Sequence, residues 1–237
     1  MSILRVGSYN IRHGQGLDDR LDLERTAAVL RRLDCDLVSV QEVDVGCCRS
    51  GGVDQAAELG RLTGMTALFA PAIAFQGGLY GHAVLSRLPV SSWLAVPLPG
   101  QEPRCVVAVD VSWCGRAVRF CGTHLDLDAE QRQRSLPILQ DLAERAGLPF
   151  VLAGDFNSAP ESVILNTLVT SWQSLDSLDG PPTYPADAPR QRIDTILAGP
   201  AGQWQMLAME VIVESIASDH RPVRAQLALV DGAQQKG

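Results

Sequence analysis

Side chains that can bind a metal ion or move a proton occur in this sequence close to the ends of its short apolar runs. In α/β sheets, ligands collect at strand ends because loops converge there without disturbing the core. Buried carboxylates need partners, and a divalent cation is an efficient one. The pattern therefore indicates a metal site surrounded by titratable groups. The residues concerned are Asn10, Glu42, His124, Asp155, Asn157, Asp194, Asp219 and His220.

Each of these residues also has a purely structural interpretation when it is taken singly. Asn10 could be a turn residue, Glu42 a surface carboxylate and His124 a hydrogen-bonded core imidazole, and residues 155–157 could form an Asx-turn. Together they favour chemistry, because the tetrapeptide GDFN at 154–157 is expected by chance in such a chain about one time in a thousand.

The apolar runs predict the strands that must carry these side chains. Several runs are rich in valine and apolar on both faces, which is typical of central strands covered on each side. The predicted strands lie at residues 3–9, 37–43, 83–85, 105–111, 117–122, 150–153, 193–197, 209–213 and 223–229.

Three amphipathic stretches predict helices at 22–33, 54–63 and 128–146. Asp22 is suited to cap the first of them. Pro137 lies inside the third, which predicts either a kink or a restart with Ser135 as the new N-cap. The turn-rich stretch at 179–192 is interpreted as an active-site loop rather than a domain boundary.

Composition bounds the class of protein. The chain has 237 residues, of which 46% are hydrophobic and 20% charged, so it can bury a sizeable core and is not disordered. We expect one domain over 1–237, with a core at about 3–229 and a short flexible C-terminal tail. No run approaches eighteen apolar residues, so we expect no membrane span. The six cysteines show no C-x-x-C pair and are interpreted as reduced, so we expect a cytoplasmic location. No obligate protein partner is inferred.

The charge balance bears on the partner. The 27 acidic residues exceed the 20 basic ones, for a net charge of -7, and this weighs against tight non-specific binding to a polyanion. Lys236 is the only lysine, so nineteen of the twenty cations are arginines. Codon bias explains this, and so does phosphate recognition by guanidinium groups. Both interpretations stay open.

Seven short segments contain the candidate site residues or lie between them: SYNI (8–11), QEV (41–43), GHAVLSRLP (81–89), THL (123–125), GDFN (154–157), RID (192–194) and SDH (218–220). In order and spacing they resemble the endonuclease/exonuclease/phosphatase superfamily. The resemblance implies a four-layer α/β sandwich, in which two mixed, mainly antiparallel sheets pack face to face with helices outside. It also implies hydrolysis of a phosphate ester with Mg²⁺ or Mn²⁺, as one or two ions.

The resemblance also implies residue roles around the ion. Glu42 would be a direct metal ligand, Asn10 would offer its side-chain oxygen, and Asp219 would reach the metal directly or through water. Asp155 would orient and deprotonate the attacking water, and Asn157 would donate to a phosphate oxygen.

The imidazoles have further roles by the same resemblance. Asp194 would hold His220 in one tautomer, and this pair is either the base or an electrostatic clamp with Asp155 as the base. His124 would assist the leaving oxygen or bind the phosphate.

Substrate-binding roles are expected for Arg104, Arg49, His82 and Tyr80. Arg104 resembles a family arginine that positions other side chains or the phosphate. His82 departs from the family pattern, which often has asparagine there; an imidazole could replace its hydrogen bond but adds a titratable group.

The expected partner is a phosphate-ester substrate, and its identity is open between classes. We favour a small or lipid-derived phosphodiester, or a phosphomonoester, because aromatic content is only 5% and the net charge is negative. The first alternative is a nuclease acting on DNA or RNA through a local strip of arginines that includes Arg12, Arg49, Arg87 and Arg104. The second is a catalytically silent binding module, which should have lost at least one site residue.

Overall fold

A computed structural model describes residues 2–145, 147–174 and 180–230 of the chain. It contains twelve strands in two sheets, and four helices lie in the described ranges. Residues 231–237 of the predicted tail, residue 146 of the third predicted helix and residue 179 of the turn-rich stretch lie outside the described residues.

The first sheet has the strand order β11-β12-β1-β2-β4-β3, and the second has the order β5-β6-β7-β8-β10-β9. The first is built from β1 Leu4–Asn10, β2 Leu37–Val45, β3 Thr66–Phe75, β4 Gly78–Ser86, β11 Trp204–Val211 and β12 Val223–Leu229. The second is built from β5 Val90–Leu98, β6 Arg104–Trp113, β7 Arg116–His124, β8 Phe150–Asp155, the two-residue β9 Gln173–Ser174 and β10 Asp194–Gly199.

Each sheet has one parallel pair at its centre, β1 with β2 and β7 with β8, and all other pairs are antiparallel. The two parallel pairs face each other across the interior. Their carboxyl ends therefore meet at one edge of the sandwich, which is where polar groups can converge.

The helices cover the outer faces of the sheets. They are α1 Leu23–Leu33 and α2 Gln55–Thr63 on the first sheet, and α3 Ala129–Glu144 and α4 Val163–Ser171 on the second. Valine-rich faces of both sheets pack against each other between these layers. Fully burying a valine or leucine side chain is worth about 1.5–3 kcal/mol, so three apolar layers hold the four structural layers together. The predicted four-layer α/β sandwich is confirmed.

The first helix begins at its predicted cap, whereas the restart considered for the third helix does not occur. The Asp22 carboxylate accepts a hydrogen bond from the backbone N–H of Arg25 at 2.8 Å and starts α1. The third helix continues through Pro137 without a restart. Ser135 does not cap a new helix, because its hydroxyl donates to the carbonyl of Gln131 one turn earlier. The restart alternative is therefore wrong.

All nine predicted strands overlap observed ones, but three strands, β3, β5 and the two-residue β9, and the helix α4 were missed. Strands β3 and β5 are sheet edges whose side chains are mostly half-buried in β3 and mostly exposed in β5, and they contain Pro71 and Pro97. An edge strand needs no alternating apolar face and tolerates proline, so the period-two signal is weak there. Among the described residues, no helix combines the length and apolar character needed to cross a bilayer.

Candidate active site

The carboxyl ends of the two parallel pairs bring most of the predicted site residues to one cavity of about 360 Å³. Asn10 and Asp194 lie directly behind it, each with 1% of its surface exposed. Strand register places His124 and Asp194 on either side of Asp155. The predicted residues that line the cavity are Glu42, Arg104, His124, Asp155, Asn157, Asp219 and His220.

Glu42 reaches the cavity because β2 is irregular at this point. The pairing of β2 with β4 shifts register between Val40 and Val43, and Glu42 itself has φ of +59°. Such a bulge redirects a side chain away from the regular sheet face. Desolvation raises the pKa of Glu42, the hydrogen bond from Asn10 lowers it, and the nearby charge of Asp219 raises it further.

Asn10 joins the two halves of the site. Its Nδ2 donates to Glu42 Oε1 at 3.0 Å and to Asp155 Oδ2 at 3.1 Å. Its Oδ1 accepts from the backbone N–H of Arg12 at 3.1 Å. In this arrangement the nitrogen, rather than the oxygen that was expected to face a metal, points at the carboxylates.

Asp155 is the centre of the polar cluster. Its Oδ1 accepts from the backbone N–H of Asn157 at 2.9 Å. Its Oδ2 lies 3.5 Å from His124 Nε2 and 3.7 Å from His220 Nε2. Burial raises the pKa of Asp155 to about 7, against the opposing effect of His220. A carboxylate with such a pKa can accept a proton near neutral pH.

His220 is held from behind by Asp194. Nδ1 of His220 lies 2.9 Å from Asp194 Oδ2, and the ring of Tyr184 packs with its centroid 4.9 Å from the imidazole centroid. Burial lowers the pKa of His220, but the carboxylates of Asp194 and Asp155 outweigh burial and raise it to about 10. His220 is therefore a cation at neutral pH. Potential ligand atoms of Asp155, Asp194 and His220 all lie within 4.8 Å of one another.

His124, the second imidazole of the site, is neutral, in contrast to the protonated His220. Burial, reinforced by the positive charge of Arg104, holds the pKa of His124 well below its usual value. The site thus combines one neutral and one protonated histidine on either side of Asp155.

Asn157 takes a left-handed conformation with φ of +46°. Its Nδ2 donates to the carbonyl of Leu125 at 2.9 Å. A primary amide has two N–H donors, so one remains for a ligand in the cavity that Asn157 lines.

The expected substrate-binding residues are placed differently from one another. Arg104 lines the cavity, pairs with Glu102 and has its Nη1 3.5 Å from the hydroxyl of Tyr80. Arg49 does not line it: both Nε and Nη2 donate to the Asp44 carboxylate at 2.8 Å. The Arg49 guanidinium also lies over the rings of Phe75 and Tyr80, at 4.6 and 5.2 Å from their centroids. Tyr80 supports these arginines from outside the catalytic cavity.

His82 lies inside the sandwich, beneath the cavity rather than on its wall. Nε2 of His82 is 3.0 Å from the hydroxyl of Ser39, and burial lowers the pKa of His82 to about 3, so the imidazole is neutral. Gln41 extends this network from Ser39 to the carbonyl of Thr123 on the opposite sheet, at 2.6 and 3.4 Å. The network joins the two sheets through Gln41 and Thr123, which directly precede Glu42 and His124 in the sequence.

Four further residues line the cavity that residue types and spacing did not single out: Leu127, Tyr184, Gln191 and Ile193. Two of them, Tyr184 and Gln191, lie in the turn-rich stretch 179–192 that was expected to form an active-site loop. Tyr184 and Gln191 form an isolated β-bridge that closes this loop, and Ala186 donates its backbone N–H to the carbonyl of Asp219 at 2.7 Å. The turn-rich composition of residues 179–192 predicted the loop, but composition does not indicate which of its side chains point into the cavity.

Comparison with known proteins agrees with this geometry. Residues 7–220 match the profile of the Endonuclease/Exonuclease/phosphatase family. The uncharacterized protein YbhP of Shigella flexneri is 29% identical over 167 residues, which cover 65% of this chain and 65% of that protein. The match thus spans just under two thirds of the relative.

Solved structures share the fold. An endonuclease/exonuclease/phosphatase protein from Beutenbergia cavernae matches with a TM-score of 0.78 and 25% identity, covering 97% of this chain and 72% of that one. A mannosyl-6-phosphatase from Bacteroides thetaiotaomicron matches with a TM-score of 0.78 and 18% identity, covering 96% and 100%. The profile match covers most of the chain, and the chain therefore belongs to the endonuclease/exonuclease/phosphatase family.

Proposed function

We propose that this protein is a metal-dependent hydrolase that cleaves a small phosphoester by in-line attack of an activated water. One observation carries the proposal: Glu42 and Asp219 share a single cavity with Asp155 and the protonated His220. Members of this family are phosphoester hydrolases that generally use a divalent metal ion.

The donor set fits a hard cation. Glu42 and Asp219 present carboxylate oxygens to one cavity, and desolvation by burial raises the pKa of Glu42. Mg²⁺ and Mn²⁺ prefer such oxygen ligands, and one or two carboxylates suffice. Glu42 and Asp219 would hold the ion, with Asn10 beside them. The ion would neutralise negative charge on the phosphoryl oxygens.

Asp155 is the base in this proposal. Its pKa of about 7 is suited to taking a proton from water, whereas the carboxylates around His220 keep that imidazole protonated. A protonated His220 donates from Nε2 to a phosphoryl oxygen and stabilises the charge that develops there. Asp194 holds the other ring nitrogen and so fixes the orientation of the ring.

His124 and Asn157 are the remaining polar residues of the catalytic cavity that have a role in the proposed reaction. The neutral His124 lies beside Asp155 and can donate one hydrogen bond to the leaving oxygen, as expected from the sequence. The free N–H of Asn157 can donate to the phosphate.

A small substrate is favoured over a nucleic acid. The nuclease alternative needs a strip of free arginines on the rim, but the four candidates are engaged within the described residues. Their ion-pair partners are Asp219 for Arg12, Asp44 for Arg49, Asp34 for Arg87 and Glu102 for Arg104. These ion pairs favour the substrate class expected from the sequence, a small or lipid-derived phosphodiester or a phosphomonoester. The silent binding module is not favoured, because every expected metal-binding and water-activating residue is retained.

The test is Glu42→Ala against Glu130→Ala, an exposed carboxylate on α3 that serves as the matched control. Hydrolysis of bis-p-nitrophenyl phosphate with Mg²⁺ or Mn²⁺ is measured together with thermal unfolding. We expect Glu42→Ala to lose at least about 100-fold in kcat, since a metal supplies several kcal/mol of charge stabilisation. Wild-type turnover in a folded Glu42→Ala protein would refute the metal assignment.

A further inference from the structure

A second cavity of about 590 Å³ adjoins the catalytic one. Asn157, Gln191 and Ile193 line both cavities, which therefore meet at these three residues. The volume lies within the roughly 300–1,000 Å³ typical of small-molecule sites. A substrate whose phosphate occupies the catalytic cavity can therefore place its organic group in the adjoining one.

Two charged side chains on this second cavity have no partner among residues 2–145, 147–174 and 180–230. Arg190 makes a backbone hydrogen bond to the carbonyl of Tyr184, and its guanidinium forms no ion pair or hydrogen bond with a described residue. Glu161 likewise accepts only through its backbone carbonyl, from Asn166. Five donor N–H groups and a carboxylate are thus available to a ligand.

The remaining lining discriminates between substrate classes. No aromatic side chain lines the described part of this cavity, so a nucleobase would find no ring on which to stack. An acyl chain would desolvate Arg190 and Glu161 without replacing their hydrogen bonds, which is unfavourable. Pro160 and Pro182 offer flat apolar walls, while Arg190, Glu161 and Gln191 offer donors and acceptors. A group with ring or chain carbons and several hydroxyls fits this lining, because its carbons can contact the proline walls and its hydroxyls can bond to the polar side chains.

We propose that this second cavity binds the organic group of the substrate and that this group is a sugar or polyol, with Arg190 and Glu161 as the residues that select it. The proposal rests on the proposed function and names the substrate class of that site. In the reaction, the water oxygen becomes bonded to phosphorus while one of its protons passes to Asp155, and the bond between phosphorus and the ester oxygen breaks. The sugar oxygen takes up one proton and leaves as a hydroxyl, and Asp155 releases the proton it accepted, so that one water is consumed for each ester cleaved.

The first experiment compares turnover of a hexose 6-phosphate, p-nitrophenyl phosphate, a lysophospholipid and a dinucleotide by the full chain with Mg²⁺ or Mn²⁺. Arg190→Met and Glu161→Gln are the variants, and Arg116→Met, an exposed arginine at the β6–β7 turn, is the matched control. We expect each site variant to raise KM for the hexose phosphate about tenfold, as for loss of a hydrogen bond to a charged group. Activity on p-nitrophenyl phosphate should stay within about twofold.

The second experiment measures binding of the hexose 6-phosphate by equilibrium dialysis, so that the subsite is tested even if the chain turns over no ester. Weaker binding by Arg190→Met than by Arg116→Met supports the subsite. Failure of the wild-type chain to bind the sugar phosphate overturns it, and so does preferred turnover of the lysophospholipid or dinucleotide. If Arg190→Met lost the same factor in turnover on all phosphate esters, the sugar subsite would also be overturned, because Arg190 would then contact the phosphate that these substrates share.

Discussion

At the scale of single residues, the site depends on how neighbours set the charge of each titratable group. Asp155 and Asp194 are equally buried, yet only Asp194 is hydrogen-bonded to His220 Nδ1, at 2.9 Å. That bond leaves Nε2 of His220 facing Asp155 and the cavity. The same residue type therefore has two functions, base and positioning group, according to its contacts.

This division predicts the behaviour of Asp194→Asn. The amide removes the charge that orients and protonates His220, so kcat should fall about 100-fold or more, by the logic of other carboxylate-oriented imidazoles. Steady-state kinetics of Asp194→Asn, His220→Asn and the double variant measure this. Because the two residues act as one unit, the double variant should be no slower than His220→Asn alone. Additive losses would show that Asp194 acts independently of His220.

At the scale of elements, one arginine of the second sheet makes an ion pair with the neighbouring strand and a hydrogen bond with the helix that covers the sheet. Arg119 of β7 donates from Nε and Nη2 to the Asp110 carboxylate of β6, at 2.7 and 2.8 Å. Its Nη1 reaches the carbonyl of Leu142 in α3 at 2.9 Å. One guanidinium therefore joins two strands and the helix that covers them.

The lowered pKa of Asp110 predicts how the contribution of this ion pair to the free energy of unfolding changes with pH. The hydrogen bonds from Arg119 lower the pKa of Asp110 below its usual value. Stabilisation by Asp110 is therefore complete above the pKa of the unfolded state and is lost as the pH falls through the lower pKa of the folded state. Urea unfolding should show Asp110→Asn destabilised by about 1 kcal/mol at pH 7, with the difference disappearing in strong acid. A constant difference at all pH values would contradict this account.

At the scale of the whole molecule, the two sheets must approach closely beneath the catalytic cavity. A Cβ on Gly122 of β7 would lie 2.4 Å from His82 Nε2 and 2.8 Å from the hydroxyl of Ser39, both on the opposite sheet. Glycine is needed here for close approach rather than for backbone conformation.

Gly122→Ala should therefore push the sheets apart and destabilise the protein by about 1–3 kcal/mol, as overpacking does. Thermal or urea unfolding gives the value, and His82→Ala with Gly122→Ala is the matched control because it removes the nearest clash. The double variant should be more stable than the sum of the single losses predicts. Simple additivity would show that the close approach to His82 is not the cause.

Much of this protein could be predicted from local sequence. Caps such as Asp22 act within one turn, central strands are apolar throughout, and the residue types of the candidate site are those that metal-dependent hydrolysis needs. The edge strands β3 and β5 were missed because partial exposure and prolines remove the periodic signal.

Only the tertiary structure decided which side chains share a cavity and in what charge state. Asn10 and Asp155 meet across 145 residues of sequence, and burial by distant elements makes His124 neutral while carboxylates keep His220 charged. Arg49 bound to Asp44, His82 inside the sandwich and the cavity beside Arg190 follow from the same cause. Residue type determines which interactions a side chain can make, whereas burial and charge in three dimensions determine which of them it makes.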